Sequence, residues 1–127
     1  MTQTDVSPQE LPRLVAFDLD DTLAPSKSAM PPAMATALRR LLDVVPVCII
    51  SGGQVGQFRD QVLARLDADA DELSRLHLMP TCGTRYYTYD PSRAERDEDA
   101  WTLLYANDLT PEQIRTGFEI VEAQARR

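Results

Sequence analysis

The chain has 127 residues, 43% of them hydrophobic, with 13 basic and 20 acidic side chains and a formal net charge of −7. This length suits one small domain, and the hydrophobic share is enough for a buried core, which argues against disorder along the whole chain. The acidic balance argues against a nucleic-acid partner, because phosphate backbones are bound by clusters of Lys and Arg. The polar first 13 residues lack the core of a signal peptide, and no apolar run approaches the ~20 residues of a membrane span. With two cysteines and no cysteine motif, we expect a cytoplasmic protein without a membrane partner.

Three short apolar runs predict the strands of a parallel sheet. Leu14–Phe17 is typical of a strand that is buried on both faces. Val44–Ile50 is the second run, with Pro46 expected at the start of the strand, and Leu76–Met79 is the third. Because an amphipathic helix is predicted between each pair, the order β-α-β-α-β indicates an α/β fold with a Rossmann-like parallel sheet.

The pattern changes after the third strand. Arg85–Tyr89 and Trp101–Tyr105 favour two further strands, separated by a turn and a charged stretch. Thr110, Pro111 and Gln113 then have the form of a helix start: Thr can cap, Pro suits the first helical position, and Gln completes a capping box. The predicted apolar face of this last helix consists of Ile114, Phe118 and Val121.

Two carboxylates follow the first strand in the segment LVAFDLDDTL. Asp18 falls at the carboxyl end of the strand, where open α/β sheets bind ligands, and Asp20 comes two residues later. Like charges this close repel, and the usual remedy is a hard cation; Mg²⁺ suits the pair because it also binds phosphate. A carboxylate can attack phosphorus covalently while a second one transfers protons. Asp67–Asp71 repeats the spacing with no strand before it, so we interpret that run as a solvated acidic surface.

A Ser-Gly-Gly turn follows the second strand. The Ser51 hydroxyl and the backbone N–H of Gly52, at the start of a helix, can form an anion site. Such turns are commonly structural. This one falls at the same end of the predicted sheet as the two carboxylates, which favours a phosphate site.

These residues resemble the motifs of the haloacid dehalogenase superfamily. The segment DLDDTL after a strand is similar to its first motif, and the strand that ends at Ser51 is similar to its second. The segment MPTCGTRYY resembles the third-strand end and hairpin of the Cof-type and phosphomannomutase-like branch. The resemblance covers residues 14–90 and, loosely, 101–127. It implies a flexible leader at 1–13, a partial core domain at 14–90, and a linker with the truncated beginning of a cap domain at 91–127.

The resemblance implies a role for each candidate residue. Asp18 would be the nucleophile and a Mg²⁺ ligand, and Asp20 the acid/base, with its backbone carbonyl on the metal. Thr22 would steady this loop in the phosphate site formed by Ser51 and Gly52. The implied enzyme is a magnesium-dependent phosphatase of small phosphorylated metabolites, with sugar phosphates expected, that acts through an aspartyl-phosphate.

Two alternatives stay open. A phosphomannomutase-type mutase uses the same intermediate but returns the phosphoryl group to the sugar. A non-catalytic binding module with a retained half-site is the alternative of another class. It is kept because the superfamily's downstream Lys or Arg and its acidic metal-binding pair have no counterpart before Arg127. We therefore expect the chain alone to be catalytically incomplete. It would then form a homodimer, for which the sheet edge beside the first strand is open, or pair with a complementing C-terminal half.

Overall fold

The computed structural model describes residues 12–93 and 100–126, and the predicted α/β fold is confirmed within them. Strands β1 (Val15–Asp18), β2 (Val47–Ile50) and β3 (Leu76–Met79) pair in parallel. The predicted leader up to residue 11 and the charged residues 94–99 lie outside the described part.

Two antiparallel strands extend the sheet. β4 (Arg85–Tyr89) pairs with β3, and β5 (Trp101–Ala106) pairs with β4, so the strand order follows the chain from β1 to β5. The predicted hairpin is therefore present. The helices of the described residues are α1 (Pro32–Leu42), α2 (Val55–Phe58), α3 (Ala64–Leu66), α4 (Ala70–Leu73) and α5 (Pro111–Ala125). None of them is long and apolar enough to cross a membrane.

The core lies between the sheet and the helices that follow β1 and β2. Val47 and Ile49 of β2 are fully buried, and α1 contributes Leu38 and Leu42. The predicted amphipathic character of this helix is therefore confirmed. The second helical segment contributes Phe58, Val62 and Leu66, all of them fully buried.

The burial of the first strand differs from the prediction. Within the described residues β1 pairs only with β2, so it is an edge strand. Ala16 and Asp18 are exposed, and Leu14 is 50% exposed, so the prediction of a strand buried on both faces is wrong. A short apolar run can form either an edge strand or a central strand. The sequence of the run therefore does not distinguish these two positions in the sheet.

The second strand is shorter than predicted. It begins at Val47, and Pro46 directly precedes it, as its missing N–H requires. The N–H groups of Val44 and Val45 instead donate to the carbonyl of Leu41, so these two residues close the end of α1.

The second helical segment contains a π-helical turn, Arg59–Leu63, between α2 and α3. The sequence predicted a regular amphipathic helix there. A π turn widens the helix by one residue and is often found at functional sites. Here it determines where two glutamine side chains lie, as described below.

Candidate active site

The carboxyl ends of the three parallel strands lie side by side. Asp18, the last residue of β1, is in register with Ile50, and Ile50 with Met79. The loops that follow β2 and β3 are joined by two hydrogen bonds. Thr81 N–H donates to the Gly53 carbonyl at 2.8 Å, and Cys82 N–H donates to the Ser51 carbonyl at 2.9 Å. The predicted nucleophile and the Ser-Gly-Gly turn therefore lie at the same edge of the sheet.

One buried leucine anchors the loop that carries both carboxylates. Leu19 is 0% exposed, and its N–H donates to Asp18 Oδ1 at 2.9 Å. The Leu19 carbonyl accepts hydrogen bonds from three following N–H groups at 3.0 to 3.3 Å, those of Thr22, Leu23 and Ala24. This tight turn fixes the backbone on both sides of Leu19, and with it the positions of Asp18 and Asp20.

Asp20 is held by a clamp of two glutamines and one lysine. Gln57 Nε2 donates to Asp20 Oδ2 at 3.1 Å and to Oδ1 at 3.3 Å, and Gln61 Nε2 donates to Oδ1 at 3.2 Å. Lys27 adds its backbone N–H, 3.1 Å from Oδ1, and its Nζ, 3.3 Å from Oδ2. The side chain of Asp20 is only 23% exposed.

Local backbone geometry brings the two glutamines to Asp20. Gln57 is the third residue of α2 and Gln61 lies in the π turn, and both side chains reach Asp20 on the loop after β1. A Cβ at Gly53 would lie 1.8 Å from Gln57 Oε1, so the bare glycine leaves the space that this side chain occupies. Gln61 is 5% exposed and also donates to the Ser28 carbonyl at 2.6 Å.

The clamp lowers the pKa of Asp20 below its ordinary value. The largest cause is the hydrogen bond from the Lys27 backbone N–H, followed by that from the Gln61 side chain; partial burial opposes them. Donors aimed at a carboxylate favour its charged form. Asp20 is therefore a carboxylate at neutral pH.

We expect Gln61→Leu to raise the pKa of Asp20 toward the ordinary Asp value, because it removes one of the hydrogen bonds that lower it. A lowered pKa stabilises the fold at pH values above the ordinary Asp pKa, and this stabilisation is lost as pH falls through the lowered value. Acid unfolding of the variant should therefore begin at a higher pH. Carboxyl ¹³C NMR in metal-free buffer measures the pKa directly.

The matched control is Gln54→Leu. Gln54 is exposed, and no hydrogen bond joins its side chain to Asp20 within the described residues. An unchanged Asp20 pKa in Gln61→Leu, or an equal shift in the control, would contradict the clamp.

The predicted phosphate site has two parts in different surroundings. Ser51 is 7% exposed, its Oγ accepts the Gly53 N–H at 3.3 Å, and Gly52 beside it is exposed. Thr22 lies on the side of its loop that faces α1, where it lines a groove of about 130 Å³ with Phe17 and others. Its role at phosphate stays a prediction.

The donor atoms at the strand ends fit part of a magnesium shell. Asp18 presents an exposed carboxylate, whereas the Asp20 carboxylate is occupied by the clamp, which leaves its backbone carbonyl. Both are oxygen donors, as Mg²⁺ prefers, and this ion commonly keeps several waters. No three acidic, His or Cys side chains converge to hold a metal within the part of the chain that the structure describes.

A cavity of about 300 Å³ adjoins the Ser-Gly-Gly turn. Arg85 and Asp108 form a bidentate ion pair on its wall, with Nε–Oδ1 at 3.0 Å and a terminal nitrogen at 2.7 Å from Oδ2. This pair raises the pKa of the Arg85 guanidinium and lowers the pKa of the Asp108 carboxyl. The other lining residues are Gln54, Val55, Thr81 and Tyr87.

Sequence reasoning missed the residues around Asp20. One signal for them was available: Gln57 and Gln61 are four residues apart in the helix that follows the Ser-Gly-Gly turn, which places both on one polar face. Lys27 and Asp108 carried no comparable signal, because each meets its partner through the tertiary fold.

No family model and no curated protein matches this sequence. Solved structures do match. A mutant IMP-nucleotidase of Plasmodium falciparum with IMP bound has a TM-score of 0.60 at 15% identity over 87% of this chain and 32% of its own. A phosphatase of the haloalkanoate (HAD) superfamily from Bacteroides thetaiotaomicron has a TM-score of 0.64 at 11% identity over 97% of this chain and 40% of its own.

A haloacid dehalogenase-like hydrolase from the same bacterium has a TM-score of 0.52 at 16% identity over 87% of this chain and 37% of its own. The chain therefore shares the fold of the part of these structures that it covers. It spans about a third of the length of these structures. At such identities the likeness establishes the fold alone.

Proposed function

We propose that this chain carries the nucleophile half of a magnesium-dependent phosphatase site for small phosphorylated metabolites, with sugar phosphates as the expected class. The observation that carries the proposal is the carboxylate of Asp18 at a strand end, next to an anchored second carboxylate and the Ser51 turn. The likeness to phosphatase folds supports the same reaction class.

In the proposed reaction an Asp18 oxygen attacks phosphorus, and the bond from phosphorus to the ester oxygen breaks. Asp20, when protonated, gives its proton to that leaving oxygen. The resulting Asp20 carboxylate then takes a proton from water as the water oxygen attacks phosphorus, which releases phosphate and restores Asp18. Bound magnesium would supply positive charge beside the phosphoryl oxygens.

The Asp20 clamp bears on both of these steps. Its hydrogen bonds keep Asp20 in the carboxylate form that the second step needs, but because they lower its pKa they also make it a weaker base toward water. To act as an acid in the first step, Asp20 must carry a proton, and fewer donors can then point at it. We infer that Gln57 and Lys27 withdraw their hydrogen bonds from the Asp20 carboxylate when substrate binds.

The test of this function is phosphate release from a panel of monoesters, sugar phosphates and nucleoside monophosphates included, with magnesium present. Transfer to water releases inorganic phosphate, whereas a mutase converts a hexose phosphate without releasing it. The panel is run on the chain together with a complementing C-terminal half that restores turnover. Equal rates with and without magnesium, or equal rates of Asp18→Asn and wild type, would then overturn the proposal.

Magnesium is expected to bind first beside Asp18. In an NMR titration the amide signals of residues 18–22 and 51–53 should shift at the lowest concentrations, because the two oxygen donors and the anion turn lie there. Asp67–Asp71 supplies an internal control with the same carboxylate spacing. Shifts centred on that acidic run would move the metal site away from Asp18.

A non-catalytic binding module is the second candidate. The engagement of the Asp20 carboxylate by three side chains favours it, since a fixed carboxylate suits binding better than proton transfer. This module would bind magnesium and phosphate without turnover. Turnover of order 1 s⁻¹ or faster by the isolated chain, which is ordinary for a complete enzyme, would exclude the module and also show that the chain needs no complementing half.

A further inference from the structure

An open cleft of about 450 Å³ lies beside the Asp20 clamp. Among the described residues, those that line it are Lys27, Gln54, Gly56, Gln57, Asp60 and Gln61. Five of these six carry a polar or charged side chain, and none is aromatic. The lining therefore offers hydrogen-bond donors and acceptors to a ligand, but no flat apolar face on which a ring could stack.

The cleft adjoins the carboxylate of Asp20 through three of its side chains. Gln57 donates to this carboxylate at 3.1 Å and Gln61 at 3.2 Å, and the Nζ of Lys27 lies 3.3 Å from it. In the proposed reaction Asp20 protonates the leaving oxygen of the ester, so that oxygen must come within hydrogen-bond reach of the same carboxylate. A group attached to this oxygen would then lie beside the three side chains that form one wall of the cleft.

We propose that this cleft binds the leaving group of the substrate, and that its lining selects a hydroxyl-rich group such as a sugar. The inference rests on the proposed phosphatase function and names the residues that would hold the sugar. Gln54 and Asp60 are exposed in the cleft, where the carboxylate accepts from sugar hydroxyls and the amide both donates and accepts. Lys27 and Gln57 supply further donors to these hydroxyls when they withdraw from Asp20.

The cavity of about 300 Å³ beside Arg85 is the other place where a leaving group could lie. Gln54 lines both the cavity and the cleft, so both adjoin the Ser-Gly-Gly turn. Among the described residues, none that lines the cavity hydrogen-bonds to Asp20, and two bonds to Asp108 engage the Arg85 guanidinium. The contacts with Asp20 therefore favour the cleft.

Gly56 forms part of the cleft and offers a way to fill it. A Cβ built on Gly56 would meet nothing within 4 Å. A leucine there would occupy the cleft without a clash near the backbone, and leucine is a better helix former than glycine. Gly56→Leu should therefore fold like the wild type and lose the space for the sugar. Gly117→Leu on α5 is the matched control, since an added Cβ there also meets nothing within 4 Å.

NMR titration of the chain with magnesium present tests the proposal. Glucose 6-phosphate and ribose 5-phosphate are the hydroxyl-rich probes, and propyl phosphate carries the same phosphoryl group without hydroxyls. We expect at least one sugar phosphate to bind about tenfold more tightly than propyl phosphate, as one or two added hydrogen bonds would provide. Only the sugar phosphates should shift the amide signals of residues 54–61. Gly56→Leu should reduce this preference to less than about twofold, and Asp60→Asn should lower it about threefold, while Gly117→Leu retains it.

The outcomes separate the sugar site from the phosphatase proposal. Equal affinity for sugar phosphates and propyl phosphate, or a preference that persists in Gly56→Leu, would overturn the cleft as the sugar site. Sugar-dependent shifts centred on Arg85 and Tyr87 would do the same, because they would place the sugar in the other cavity. Absence of shifts at residues 18–22 and 51–53 with every probe would instead contradict the phosphate site. A chain that binds none of the three probes would overturn both.

Discussion

In a protein that contains the complete active site, replacing Asp18 with Asn is expected to reduce the rate of phosphate release by at least about 10³-fold, because the amide cannot form the covalent phosphoryl bond. Asp18 is exposed at the end of an edge strand, and among the residues that the structure describes its Oδ1 accepts one hydrogen bond, from the N–H of the next residue. The substitution should therefore leave the fold intact. Phosphate release with magnesium present measures the rate, and circular dichroism verifies the fold.

Asp21→Asn is the matched control for this substitution. Asp21 is also exposed and lies three residues along the same loop, and its left-handed backbone, φ 60°, is one that Asn tolerates. We expect its rate to stay near that of the wild type. An Asp18→Asn rate within about tenfold of wild type, a barrier change of only ~1.4 kcal/mol, would argue against a nucleophilic role.

Leu19→Ala is expected to lower the free energy of unfolding by about 2–5 kcal/mol, because the leucine is fully buried and its loss leaves a cavity. That is a large part of the ~5–15 kcal/mol that stabilises a typical domain. The same side chain anchors the loop between Asp18 and Asp20, so phosphate release should fall as well. Urea unfolding at one fixed protein concentration measures the stability change.

Leu104→Ala provides the control for cavity formation. Leu104 is 55% exposed on β5, so its truncation should change the free energy of unfolding by less than about 0.5 kcal/mol. Equal losses in the two variants would mean that Leu19 does not act as a buried anchor.

Much of the fold could be predicted because its signals are local. The third strand was predicted with its observed bounds, and the start of α5 was predicted down to its capping box. The position of Asp18 and Ser51 at neighbouring strand ends could also be predicted, because parallel strands in a β-α-β-α-β order bring their carboxyl ends together.

The parts that could not be predicted depend on contacts between distant segments. Arg85 and Asp108 are 23 residues apart and meet only because the hairpin folds back. A π turn has no sequence signature comparable to a capping box, so the approach of Gln61 to Asp20 was not foreseen.

The most direct test of Asp18 as nucleophile is to find the phosphoryl group on it. The chain is incubated with acetyl phosphate and magnesium, quenched in acid, and digested for mass spectrometry. We predict a peptide that carries one phosphoryl group on Asp18, absent from Asp18→Asn and retained in Asp21→Asn. A phosphoryl group on Asp20 or Asp21 instead, or none on Asp18 while phosphate esters are hydrolysed, would contradict the account.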